Sequence, residues 1–446
     1  MDFSPWTLLV DVGLVSLLLL LGKFLRSKVK LVQRFFIPPS LLAGLFGLVL
    51  GPEVLGWLPL SGNLGTYAGI LIALVFSCIP FTSARSQSDG NSRIGRMWAY
   101  SQAGMLLQWA LGGALGLWVL SLIWPVAPSF GLSMPAGFCG GHGTAAAIGE
   151  SFANYGIEEM QSLAMTSATV GIIASVVVGM WLISWGAQHG KTRFLCAFES
   201  LSPELRTGIL PPDKRKSMGL ASFSAISLDS MSFNFAVIAL AAVGGYGLSR
   251  LIAHFWPALM LPVFSCAFIV ALLERWFISK VKVEEHLSQP IIGHLSGAFT
   301  DYLVAFGVAS IRLEIVGRYI VPLLILLVVG LLLTLLYVFW VGSRIHRTCP
   351  FEKSIFTWGW FTGTMAMGIA LLRIADPEGK SGCLDDYAYA YLYIAPVEIA
   401  LVSFSPLAFA SGYGWLFVGL CALAGAGILG LALAKGWMRQ ENKTDV

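Results

Sequence analysis

The sequence predicts an all-α polytopic membrane protein. We expect two inverted-topology repeats of five transmembrane helices, each with a re-entrant hairpin, followed by one extra C-terminal helix. Three observations lead there. The chain of 446 residues is 57% hydrophobic and only 12% charged, whereas a soluble domain carries about 25% charged residues. Eleven apolar runs are long enough to cross a bilayer. Two further stretches are apolar but broken by glycine, and the distribution of basic residues turns both back to the side they left.

A hydrocarbon core of about 30 Å takes about 20 residues of helix. On that rule spans are expected at Trp6–Phe24, Phe35–Leu50, Thr66–Phe81, Met97–Ile123, Met160–Gly186, Met231–Ala253, Pro257–Glu274, Ile291–Ile311, Tyr319–Val341, Ala388–Phe409 and Tyr413–Lys435. The first has no basic region before it and no small-residue cleavage site, so it reads as a retained helix. The broken stretches are 131–157 and 351–377.

Basic residues set the orientation. With the N-terminus outside, the C-terminus inside and both broken stretches re-entrant, 25 of the 28 Lys and Arg fall on the inner side. Arg250, Arg312 and Arg318 remain outside. Cytoplasmic loops carry this excess, and a full crossing by either broken stretch would put the basic loops after it on the wrong side. Residues 1–188 then form the first repeat and 231–410 the second. The polar segment 189–230, with Pro211-Pro212-Asp213-Lys214-Arg215-Lys216, is a cytosolic linker. Residues 411–446 form the extra helix and a cytosolic tail. Faint internal echoes agree with a repeat: Gly143-Thr144-Ala145-Ala146 matches Gly363-Thr364-Met365-Ala366.

The candidate site follows from the breaks. Phe138-Cys139-Gly140-Gly141-His142-Gly143-Thr144 is poor helix, since each interior Gly costs about 1 kcal/mol against Ala. Irregular backbone at membrane depth is tolerated only inside protein or against a cavity, and broken segments of this kind mark transporter sites. The competing reading is close helix packing through glycine. Thr144 and Thr364 stand where a half-helix would start, either capping it or ligating an ion. His142 either bonds a carboxylate and titrates, or locks the loop through backbone carbonyls. Asp301 and Glu398 are ionisable residues within spans, expensive there and so functional candidates. The proline in Pro396-Val397-Glu398 is placed to open the helix. Arg373 either clamps a carboxylate or pairs with Glu398 or Asp376. Asp11 is expected to be solvated, Glu150, Glu158 and Glu159 to form a wetted rim, and Trp358 and Trp360 to belong to an interfacial belt. The seven cysteines show no paired spacing, which excludes a disulfide framework or zinc motif. No HExxH, GxSxG or P-loop pattern is present, so no enzyme is expected. A net charge of +4 gives no reason to expect nucleic acid.

Gly140-Gly141-His142-Gly143-Thr144-Ala145-Ala146 resembles the first-hairpin signature of the bacterial sodium:glutamate symporters. Phe36-Ile37-Pro38-Pro39-Ser40-Leu41-Leu42-Ala43-Gly44 resembles that family's second-helix motif. The resemblance implies the two inverted five-helix repeats already reached, a homodimer in the lipid of the bacterial cytoplasmic membrane, and an elevator-like movement of a core against a scaffold. Three features depart from the pattern: Cys139 stands where the family has Ser, Trp360-Phe361-Thr362-Gly363-Thr364-Met365-Ala366-Met367-Gly368 replaces its usual second hairpin, and Glu398 has no counterpart. The resulting expectation is Na⁺-coupled symport of glutamate or a related small anionic amino acid or carboxylate. The site would comprise Cys139, Gly140, Gly141, His142, Gly143, Thr144, Gly363, Thr364, Arg373, Asp301 and Glu398, with Na⁺ as coupling ion near Thr144, Thr364 and Asp301. The alternatives are a proton-coupled organic-anion carrier using Glu398 or His142, and a channel.

Overall fold

The protein, in a computed structural model, is described for residues 4–82, 92–194 and 207–438, apart from 216, 220–221, 223–225, 257–260, 282 and 378. All regular structure among the described residues is helical. Helix α1 (Pro5–Lys28) starts at Ser4, whose hydroxyl accepts the Thr7 N–H, with Pro5 at the first position. This combination supplies one orphan partner and a preset φ. Helix α2 spans Pro39–Leu50. It is shorter than the expected run because Phe36 is left-handed (φ 46°) and Pro38-Pro39 start the helix there. Helices α3 (Leu64–Thr82) and α4 (Ser92–Leu115) follow, α4 running on through a π turn to Ile123.

The first broken stretch is two short helices, α5 (Ser133–Cys139) and α6 (Gly141–Ala153). Helix α7 (Glu159–Gln188) completes this half. In the second half, α8 (Ser230–Phe255) is capped by the Asp229 carboxylate. Helix α9 spans Val263–Lys280 and starts only after Pro262. Next come α10 (Gln289–Ala309) and α11 (Ile320–Ile345). The second broken stretch is α12 (Pro350–Thr362) and α13 (Met365–Ala375), before α14 (Cys383–Ala410) and α15 (Gly414–Ala434). Among the described residues, nine helices are long and apolar enough to cross a membrane, and α2 and α9 occupy the second and seventh expected spans. The protein is therefore a multi-pass membrane protein. The expected start at Pro257, part of the linker, and Arg85, Arg206, Lys216, Lys282, Arg439 and Lys443 lie outside the described residues.

Packing divides the helices into two groups. In the first, α3 and α10 lie side by side, α2 packs on α10, α9 on α3, α1 on α2 and α8 on α9. In the second, α5, α6, α12 and α13 gather on α7, with α4 and α11 behind them and α15 along α4. Trp109 of α4 meets Phe417 of α15 edge-on, with ring centroids 6.2 Å apart. Many Leu, Ile and Trp side chains of α1, α8, α11 and α15 face outward, as a lipid solvent allows.

Two expectations are corrected here. Asp11 is fully buried, not solvated: its carboxylate accepts the Ser61 N–H (3.0 Å), the Ser61 hydroxyl (2.5 Å) and the Tyr67 hydroxyl (3.2 Å). Trp358 and Trp360 are core residues, not an interfacial belt. Trp358 is 1% exposed and its indole N–H donates to the Ser175 carbonyl at 3.1 Å.

Candidate functional site

The two breaks meet. Helix α5 stops at Cys139, and α6 resumes with Gly141 at φ 62°. Helix α12 stops at Thr362, Gly363 turns the chain, and Thr364 caps α13 through its hydroxyl, which accepts the Met367 N–H at 3.4 Å. A Cβ on Gly141 would stand 2.6 Å from the Thr364 methyl carbon and 2.9 Å from the Gly363 carbonyl oxygen. Glycine is needed there both for the positive φ and for the contact between the breaks.

A carboxylate faces the first break. The Thr144 hydroxyl donates to Glu398 Oε1 at 3.5 Å, and the Tyr391 hydroxyl donates to Glu398 Oε2 at 3.2 Å. Cys139, buried at the end of α5, is an electrostatic neighbour of Glu398. His142 is 1% exposed; its Nε2 is 3.1 Å from the Thr169 hydroxyl on α7, and its Nδ1 is buried without a hydrogen-bond partner among the described residues. The ring therefore ties α6 to α7 rather than locking the loop through backbone carbonyls. Thr144 sits in the first turn of α6 but does not cap it, since the N-cap is Gly140 and no side chain serves there. The early N–H groups of α6 thus lack both an intrahelical partner and a side-chain cap.

The packing behind the breaks is polar and specific. Gln108 of α4 donates through Nε2 to the Thr334 hydroxyl of α11 and to the Phe361 carbonyl of α12, both at 3.0 Å. Ser175 of α7 donates to the Gly359 carbonyl at 3.4 Å. Helix α14 turns Tyr387 against Phe356 and Trp360 of α12. Pro396 does not open α14, which runs unbroken from Cys383 to Ala410.

Of the residues picked from sequence, the fold brings together Cys139, Gly140, Gly141, His142, Gly143, Thr144, Gly363, Thr364 and Glu398. It does not bring Arg373 or Asp301 to them. Arg373 lies in the last turn of α13, nine residues or roughly 13 Å along the helix from Thr364, and donates to the Pro377 carbonyl at 3.0 Å. No ion pair joins Arg373 to Glu398 or Asp376; Asp376 instead accepts the N–H groups of Lys380 and Ser381. Asp301 is turned toward Ser40 and Lys23 at α2 and α1.

Sequence reading missed Tyr391, Thr169 and a buried ion pair. Tyr391 is seven residues before Glu398, the spacing of one helix face, so its signal was present. Thr169 gave none, because its partner is 27 residues away. Lys353, one of the basic residues that the charge count puts on the inner side, is 2% exposed and donates to Asp386 at 2.8 Å; Arg93 holds the other Asp386 oxygen at 2.9 Å.

Membrane-length helices surrounding two helix breaks that touch each other, the first of them facing a carboxylate, fit a membrane transporter. The chain belongs to the sodium/glutamate symporter family, whose model matches residues 7–348. The match stops two residues before α12, so the second break, Arg373 and Glu398 lie beyond it. No curated protein matches the chain.

Proposed function

We propose that the protein is a secondary active transporter that carries L-glutamate, or a related small anionic amino acid or carboxylate, together with Na⁺ across the bacterial cytoplasmic membrane. The observation that carries this reading is the contact between the two breaks, with Glu398 facing the first of them. Each break offers both signs. The N-terminal ends of α6 and α13 carry roughly half a positive charge each and suit carboxylates. The C-terminal ends of α5 and α12 present orphan carbonyls, which suit a hard cation such as Na⁺. Dipole ends therefore roughly cancel, and Glu398 adds one negative charge. An anionic solute entering that site needs an accompanying cation, which is the physical basis for symport.

In this reading α5–α6 and α12–α13 are re-entrant hairpins of two inverted repeats. The packing supports it, because α1 on α2 repeats as α8 on α9, and α2 on α10 repeats as α9 on α3. The N-terminus is outside and the C-terminus inside. Na⁺ sits near Thr144, Thr364 and Glu398, and the solute's carboxylate lies on the α6 N-terminus beside His142 and Gly143. Asp301 and Arg373 touch neither. The protein works as a homodimer in lipid, with the group around α7 moving against the group around α3 and α10.

The test is uptake of radiolabelled L-glutamate into proteoliposomes with and without an inward Na⁺ gradient. Accumulation only with the gradient is the expected result, and none in either condition from folded protein would overturn the proposal. One observation favours a second reading, proton coupling through Glu398: no basic side chain pairs with Glu398 among the described residues. Uptake that follows pH and ignores Na⁺ would establish that reading instead.

A further inference from the structure

A second carboxyl lies on the way to the breaks, and nothing above uses it. At the end of the bundle where α2 connects to α3 and α6 to α7, a cavity of about 610 Å³ is lined by Glu53, Ser61, Thr66, Ala153, Gln161 and Arg312 among others. The side chain of Gln161 closes its floor, wedged between Gly65 of α3 and Gly149 of α6; a Cβ on either glycine would collide with it. Next to Gln161, one turn further along α3 and one residue after Gly149 on α6, is Glu150. A Cβ on Gly69 would stand 3.3 Å from its Oε2. That oxygen is buried and has no hydrogen-bond partner among the described residues. Two turns further along α6, Gly143 faces Ile72 of α3, beside the junction of the breaks. Glu150 thus lies between the cavity and the candidate site, nearer the cavity, whose lining residue Ala153 is less than one turn away on α6.

Among the described residues, the elements packed on α6 bring no charge to Glu150. On α3, Tyr67 is engaged with Asp11. On α10, Asp301 is turned to Ser40 and Lys23. Cys139 of α5 and Glu398 of α14 are at the opposite end of α6. At the start of α7, Glu159 faces Arg318 and Tyr319, and at the rim Glu158 faces Arg312. Glu150 is half-buried, and with Oε2 buried, unpartnered and faced by no cation its anion loses much of its solvation, which favours the protonated acid.

We propose that Glu150 is a proton-binding site on the outer route to the breaks, neutral while α6 is packed on α3 and ionised when the route is wetted. The proton comes from external water, adds to a carboxylate oxygen, and returns to water when α6 and α3 part, with no change of oxidation state. The word "outer" rests on the topology proposed above. The consequence is that packing of α6 on α3, and with it closure of the route, is favoured by external acid.

The test is an infrared pH titration of the full-length protein in lipid, read at the carbonyl stretch of protonated carboxylic acids, for wild type, E150Q and E398Q. The expected result is a band lost on alkalinisation that survives in E398Q and is missing in E150Q. An E150Q titration identical to wild type would overturn the proposal. Gly69→Ser provides a check that leaves Glu150 in place. Its hydroxyl would donate to Oε2 and favour the anion, so the band should vanish at a lower pH than in wild type; an unmoved titration would also overturn the proposal. Neither arm needs a solute, so a failure of glutamate uptake would count against the function proposed above and not against this site.

Discussion

At the scale of single residues, Gly141 concentrates the constraint. Its φ of 62° and its contact with Thr364 leave no space for a methyl group. Alanine in that conformation costs about 1–2 kcal/mol, before any displacement of α13. Gly141→Ala should therefore cut Na⁺-driven uptake by roughly tenfold or more while the purified protein stays monodisperse; unchanged uptake would show that the two breaks need not touch. His346, at the end of α11, gives a pH prediction. Burial first, and then Lys353 and Arg96, hold its imidazole well below the usual range. The unfolded chain takes up a proton below about pH 6.5 that the native protein refuses, so stability falls as pH drops below that value and is untouched above it. The thermal midpoint should fall on acidification, and His346→Phe should flatten that dependence. Residue types were the most legible part of the site: the glycines, His142 and Glu398 stood out because membrane depth makes them costly. What their side chains meet was not legible. Asp11 read as solvated because its partners, Ser61 and Tyr67, lie 50 and 56 residues away.

At the scale of elements, apolar length and charge placement revealed both broken helices, and the structure starts and stops them within a few residues of the expected stretches. The starts of α2 and α9 differed for local reasons, Pro38-Pro39 and Pro262, while α9 ran on to Lys280 and α14 began earlier, at Cys383. The polar anchor of α12 was not legible. Lys353 and Asp386 side chains are each 3% exposed and join the start of α12 to the start of α14, with Arg93 of α4 as third member. Removing one partner of such a pair strands a buried charge and costs about 3–5 kcal/mol. Asp386→Ala should lower the thermal midpoint sharply, and the apolar pair Lys353→Met with Asp386→Leu should lower it less. Equal losses in both would show that the anchor works by packing rather than by charge.

At the scale of the whole molecule, two groups of helices share few contacts except where α6 passes between α3, α10 and α14. That division suits a transporter in which one group moves with the site and the other stays. Helix α15 fits this picture as a brace packed along α4. The central claim is that Na⁺ and an anionic solute bind together where the two breaks touch and Glu398 faces the first of them. Equilibrium binding of radiolabelled L-glutamate to the purified protein, in Na⁺ and in K⁺, tests it most directly when wild type is compared with Glu398→Gln. The account predicts binding in Na⁺, little in K⁺, and a weakened Na⁺ dependence in the variant. Equal binding in both cations, or a variant indistinguishable from wild type, would contradict it.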